Sequence, residues 1–115
     1  SQVGYDRYKD RIMFPLHNSE GRVIGFSGRI YKKGQQEAKY MNSPESKIFI
    51  KGETLYNYHR IKESVREKGK IIILEGFMDV IALYKAGIEN TVAIMGTALT
   101  SKHMTMLRRL TKDRW

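Results

Sequence analysis

Cysteine is absent from the 115-residue chain. Its absence excludes a disulfide framework and thiolate metal sites such as zinc ribbons, and it fits a reducing compartment. No apolar run approaches the roughly 20 residues that a membrane-spanning helix needs. Ser1–Asp10 is polar and lacks the apolar core of a secretory signal, so none is expected there. No Gly-Lys-Ser/Thr phosphate-binding loop occurs. Ser27 and Ser43 have no recognisable base partner, which argues against nucleophilic catalysis. His17, His59 and His103 show no metal-ligand spacing and read as surface or capping residues. Acidic residues are scarce as well: Asp and Glu total 12 against 21 Lys and Arg, a net charge of +9. Such an excess favours a polyanionic partner, most often nucleic acid or nucleotide. The remaining composition, 41% hydrophobic and 29% charged, is that of a folded globular chain rather than a disordered one.

The apolar pattern divides the chain near residue 69. In Arg11–Leu16, Ile12, Phe14 and Leu16 alternate with Met13 and Pro15, which predicts a short strand that Pro15 confines to an edge or an end. Asn18-Ser19-Glu20-Gly21 is a turn signal, and residues 23–31 read as the second strand of a hairpin. Gly25 and Gly28 weaken that strand unless a bulge or a close backbone approach requires them. Residues 32–36 read as a basic loop, 38–41 as a short strand, 42–45 as a turn and 48–51 as extended. Leu55, Tyr58, Ile61 and Val65 recur at helical spacing from about Thr54, with Gly69 at the position of a C-terminal cap.

Beyond residue 69 the pattern is that of an α/β unit. Ile71-Ile72-Ile73-Leu74 reads as a strand buried on both faces, Phe77–Ala86 as a helix stopped by Gly87, and Thr91–Met95 as a second buried strand. Thr100 is the expected N-cap of a helix from about Ser101 to Leu110, with Met104 and Leu107 on one face. The fold class is therefore α+β leading into α/β. Residues 1–69 form a mostly antiparallel β part with one helix, and residues 70–115 form a partial βαβα parallel-sheet unit. Two parallel strands make a small sheet, so a longer parent protein is expected. The alternative is a small natural domain whose N-terminal strands complete the sheet.

Two groups of residues carry chemistry. Glu75 follows a run of apolar residues and precedes Gly76 and a helix, at the carboxyl end of a strand, where open α/β sheets bind ligands. A carboxylate there can hold Mg²⁺, and Asp79, in the first turn of the helix, can reach the same ion. The bland alternative leaves Glu75 as a polar loop residue and Asp79 as a charge that the helix dipole favours. The second group is basic. The stretch 22–51 holds Arg22, Arg29, Lys32, Lys33, Lys39, Lys47 and Lys51 but only Glu37 and Glu45 as acids. Tyr31, Tyr40 and Phe49 are interleaved among the cations, and Asn42 stands at the turn. Cations can follow phosphates and aromatic faces can stack on bases; equally, the aromatics can be core and the cations a solvated face.

The segment Ile72-Ile73-Leu74-Glu75-Gly76-Phe77-Met78-Asp79-Val80 resembles the first motif of the TOPRIM fold. Four upstream blocks resemble bacterial DnaG-type primases: Arg11-Ile12-Met13-Phe14-Pro15, Arg22-Val23-Ile24-Gly25-Phe26-Ser27-Gly28-Arg29, Lys39-Tyr40-Met41-Asn42-Ser43-Pro44-Glu45 and Phe49-Ile50-Lys51-Gly52-Glu53-Thr54-Leu55-Tyr56. The resemblance runs from about Tyr8 to Leu110. It implies part of a catalytic core that makes short RNA primers on single-stranded DNA from ribonucleoside triphosphates, in the cytoplasm, with Mg²⁺ or Mn²⁺. It also implies a zinc domain and a helicase-binding domain outside this stretch, and no membrane contact. By the same resemblance Glu75 is the catalytic acid of the metal site and Asp79 shares its cluster. Arg29, Lys39, Asn42 and Lys51 fall on positions that hold nucleotide phosphates and the primer–template.

One departure stands out. The family's Asp-x-Asp motif is missing, and Glu75 with Asp79 are too few carboxylates for two-metal chemistry. The 115-residue chain alone is therefore expected to keep part of a nucleotide-binding surface without making primers. The competing readings are another TOPRIM enzyme, of topoisomerase or nuclease type, and a non-catalytic nucleic-acid-binding module.

Overall fold

Antiparallel pairing organises the N-terminal part of the chain, in a computed structural model that describes residues 11–30 and 40–111. Strand β1 (Arg11–His17) pairs with β2 (Val23–Ile30), and β2 with β3 (Tyr40–Asn42), in the order β1-β2-β3. Pro15 sits on an edge strand, as its missing N–H requires. The alternation in β1 is only partly realised: Phe14 and Leu16 face inward, whereas Ile12 is 47% exposed near the strand's start. The hairpin turn is held by Asn18, whose Oδ1 accepts the amides of Glu20 (2.9 Å) and Arg22 (3.0 Å). Gly21 closes it at φ +84°, a conformation that favours glycine.

Gly25 answers both requirements posed by its place in a strand. The register passes from Leu16↔Gly25 to His17↔Val23, so Ile24 is the extra residue of a bulge. A Cβ on Gly25 would lie 3.3 Å from Ser43 Cβ and 3.4 Å from Phe49 Cδ2, so two segments press on its backbone. The stretch expected to turn at residues 42–45 does not turn there. The Ser43 amide instead extends the ladder by donating to the Phe26 carbonyl (2.8 Å), and the chain bends at residues 47–48. Residues 31–39, with the expected basic loop and Lys39, lie outside the described residues.

The helix expected from Thr54 is shorter than its spacing suggested. Short 3-10 turns occupy Lys51–Glu53 and Tyr58–Arg60, and α1 covers only Lys62–Lys68. Long-range bonds hold the intervening stretch out of the helix. Tyr56 bridges Ala93 in antiparallel fashion, and Asn57, at φ 74°, donates from Nδ2 to the Thr91 carbonyl (3.1 Å). Gly69 caps α1 in the left-handed region, its amide donating to the Val65 carbonyl.

The C-terminal part follows its pattern closely. Strand β4 (Ile72–Leu74) pairs in parallel with β5 (Thr91–Ala93), with α2 (Phe77–Lys85) between them and α3 (Ser101–Thr111) after them. All of β5 is buried. Strand β4 is not buried on both faces, because it lies at the sheet edge among the described residues and Ile73 is 43% exposed. The N-terminal strands form a separate sheet and do not complete the parallel one.

Thr100 caps α3 as expected: its Oγ1 accepts the His103 amide (3.1 Å). His103 is fully buried and returns the contact. Its Nδ1 accepts the Thr100 amide (3.1 Å), so Nδ1 is unprotonated and Nε2 carries the hydrogen toward the carbonyls of Lys51 (3.1 Å) and Thr54 (3.0 Å). The Thr100 hydroxyl donates to the Gly52 carbonyl beside them.

The two parts share a core. Leu16 and Phe49 pack in one cluster with Phe77, Val80, Ala93 and Met95. Phe77 is its joint, with ring centroids 5.1 Å from Phe14 and 5.2 Å from Tyr56. A second cluster gathers Leu55, Ile61, Val65, Val92 and Leu107 beneath α1 and α3.

Candidate active site

The end of β4 and the start of α2 build the first wall of the site. Apolar Ile72–Leu74 commits to the sheet, and Glu75-Gly76 releases the chain into α2. Gly76 is the N-cap residue and has no side chain to cap with; its carbonyl accepts the Asp79 amide (3.2 Å). Glu75 and Asp79 are both exposed, on either side of this turn. A Cβ on Gly76 would lie 3.9 Å from Asp79 Oδ2, so the glycine keeps the space beside that carboxylate clear.

These residues open onto a cleft of about 420 Å³ lined by Asn42, Glu75, Gly76, Phe77, Met78, Asp79, Ile94, Met95 and Gly96. The apolar side chains belong to, or border, the shared core. The second wall comes from the other sheet. Phe14, Ser27 and Asn42 lie in one row across β1, β2 and β3. Phe14 rests on Phe77, so the row carries Asn42 to the cleft.

Of the residues singled out from sequence, the cleft gathers Glu75, Asp79 and Asn42. It does not gather Arg29 or Lys51, and Lys39 lies outside the described residues. Arg29 is half-buried in β2, in register with Ile12 and Tyr40, and its Nε has no hydrogen-bond partner among the described residues. Lys51 is fixed by its backbone. Its amide donates to Glu45 Oε1 (2.8 Å), and its carbonyl meets His103 at the base of α3. Ser43, weighed in the sequence only as a nucleophile, instead bonds the Phe26 backbone through its hydroxyl; Gly25 was the available signal, since a glycine inside a strand marks close backbone approach.

The cleft holds two carboxylates, and no lysine or arginine is among its described lining residues. Hard oxygen donors without a basic counter-charge suit a divalent cation such as Mg²⁺, which takes one or two carboxylates plus water and substrate oxygens. No group of three or more His, Cys, Asp or Glu that could hold a metal ion converges among the described residues. A different electrostatic feature lies elsewhere. His17 and His59 stack at 4.5 Å, and burial, then His17, then Arg60 lower the His59 pKa from its ordinary 6.5.

Comparison with known proteins agrees with this fold. Residues 1–62 match the family described as DNA primase catalytic core, N-terminal domain, and residues 69–114 match the Toprim domain. A DNA primase of Staphylococcus aureus is 51% identical over 109 residues, covering 95% of this chain and 18% of that protein. The chain thus spans under a fifth of the length of such curated relatives. The zinc-binding and RNA polymerase domains of the Aquifex aeolicus primase superpose with a TM-score of 0.84 at 40% identity, over 92% of this chain and 26% of that one. A DnaG primase catalytic domain bound to ssDNA superposes at 0.78 and 42% identity, over 88% of this chain and 32% of that one. With matching family patterns over both parts, and an acidic strand end facing Asn42 across a single cleft, the chain belongs to the DnaG-type DNA primase family.

Proposed function

We propose that this chain serves, within a primase, in the metal-dependent synthesis of short RNA primers on single-stranded DNA. The observation that carries the reading is the meeting of Glu75, Asp79 and Asn42 in one cleft at the carboxyl end of β4. The reaction joins a primer 3′-hydroxyl to the α-phosphorus of an incoming ribonucleoside triphosphate and releases pyrophosphate. Glu75 and Asp79 would hold Mg²⁺ or Mn²⁺, which supplies Lewis acidity and charge neutralisation at phosphoryl oxygens. The Asn42 amide can donate to or accept from the nucleotide. Phe77, Met78 and Met95 give the cleft an apolar floor beside the exposed carboxylates. Arg29 and Lys51, which stand off the cleft, serve phosphates of the primer–template rather than the reacting nucleotide, and Lys39 serves phosphates of the nucleotide or the primer–template.

The division near residue 69 is functional on this reading, with carboxylates on one side and nucleotide and template contacts on the other. Zinc and helicase contacts belong to other parts of a primase, and the whole acts in the cytoplasm. No helix among the described residues is long and apolar enough to cross a membrane. The match over residues 1–62 favours a primase over a topoisomerase or nuclease.

The test is primer synthesis by a full-length primase carrying this sequence. Glu75→Gln is expected to cut activity by about a hundredfold or more while sparing the fold and most single-stranded DNA affinity. Full activity in that variant would remove Glu75 from the mechanism. The 115-residue chain alone is expected to bind DNA in a salt-sensitive way without making primers, since two carboxylates are too few for two-metal chemistry. Template-dependent synthesis by the chain alone would overturn that expectation.

A further inference from the structure

We infer that Ser43 is the positioning residue that sets Asn42 for nucleotide binding, an inference that rests on the reading of the cleft above. Strand β3 is only Tyr40–Asn42, and Asn42, in register with Ser27, is its last residue. The next residue adds three bonds of its own to β2. The Ser43 amide donates to the Phe26 carbonyl (2.8 Å), the Phe26 amide donates to Ser43 Oγ (2.9 Å), and the Ser43 hydroxyl donates back to the same carbonyl (3.2 Å). One side chain thereby takes the place of the next strand residue, satisfying both backbone groups of Phe26. Gly25 leaves room for it: Ser43 Cβ would stand 3.3 Å from a Cβ at that position, so a larger residue there pushes the clamp away.

Asn42 pairs with Ser27, the residue after Phe26. The clamp therefore acts one step along β2 from the pair that sets Asn42 in the cleft. Pro44 follows and offers no amide with which to replace these bonds. Ser43 itself does not line the cleft, so its effect must pass through Asn42.

The test uses a full-length primase carrying this sequence, reading KM for ribonucleoside triphosphate, kcat for primer extension and melting temperature. Ser43→Ala keeps Cβ and removes the hydroxyl. It is expected to raise KM about three- to tenfold, the range of one or two neutral hydrogen bonds, with kcat nearly unchanged. Ser43→Thr, which restores a hydroxyl, is expected to recover most of the loss. Asn42→Ala is expected to raise KM at least as much, and the double variant no further than Asn42→Ala alone. Should Ser43→Ala lower the melting temperature by more than about 5 °C, Ser43→Cys replaces it under the same KM criterion. The cysteine keeps the volume and weakens only the hydrogen bonds.

Multiplicative KM effects in the double variant, an unchanged KM in Ser43→Ala, or an unchanged KM in Asn42→Ala would each overturn the inference. Glu75→Gln, run alongside, separates the two failures. An active Glu75→Gln enzyme removes the nucleotidyl-transfer reading, whereas an inactive one with multiplicative Ser43 and Asn42 effects removes only the positioning role.

Discussion

The two parts of the chain put their functional groups in place by different means. Beyond Ile61 the signals are local. Gly69 ends α1, Glu75-Gly76 separates β4 from α2, and Thr100 caps α3. The carboxylates ride on one strand end and one helical turn, so their proximity follows from a few consecutive residues. Before Ile61 the placement is global. Asn42 reaches the cleft only because three strands align it with Ser27 and Phe14, and because Phe14 lands on Phe77. A site split in this way has one half that survives local rearrangement and one half that depends on sheet register.

The largest expected effect tests whether the two halves are separable at all. Phe77→Ala empties the joint between Phe14 and Tyr56 and should cost about 3–5 kcal/mol. In calorimetry of the 115-residue chain a single transition should move to lower temperature. Two resolved transitions would break the comparison, by showing two cores instead of one.

Next in size is His103→Ala. It leaves the Thr100 amide and the buried Thr54 carbonyl unmatched, while the Lys51 carbonyl keeps the Thr54 amide (3.3 Å). Buried polar groups left unmatched should cost about 2–4 kcal/mol, readable in urea denaturation. A loss below 1 kcal/mol would show that the 3-10 turn at Lys51–Glu53 holds without α3, sharpening the line between the parts.

The smallest effect is a pH dependence at the His17–His59 stack. The folded state holds the His59 pKa below 6.5, chiefly by burial and then by the charges of His17 and Arg60. Between the folded and unfolded pKa values the unfolded chain binds more protons. Stability should therefore fall as pH drops through about 6.5, and this contribution should stop falling below the folded pKa. His59→Asn should flatten that part of the melting-temperature profile, and an unchanged profile would clear the stack of any role.

The same local–global split governs what could be read in the sequence. The elements of the α/β unit were legible because apolar runs, glycine stops and a threonine cap act within a few residues. The proximity of Glu75 and Asp79 was legible for that reason too. The helix expected from Thr54 was overread because the spacing of Leu55, Tyr58, Ile61 and Val65 also serves a bridge plus a 3-10 turn; the deciding bond, Tyr56 to Ala93, lies far along the chain. The turn expected at residues 42–45 failed because Ser43 continues a ladder whose partner strand no local rule identifies. The basic segment gave composition without direction, so Arg29 and Lys51 were grouped with Asn42 although the fold parts them.

The bridge from Tyr56 gives β5 a neighbour on each side, β4 in parallel and Tyr56 in antiparallel sense, beneath a complete cover of side chains. In the currency of deuterium uptake, that makes the amide of Ala93 among the slowest protons in the chain, released only when the whole chain opens. Ile73, one strand over on the uncovered edge, should trade its proton through far smaller openings. The carboxyl end that carries Glu75 is thus moored on one flank to the most persistent strand of the molecule and left free to breathe on the other.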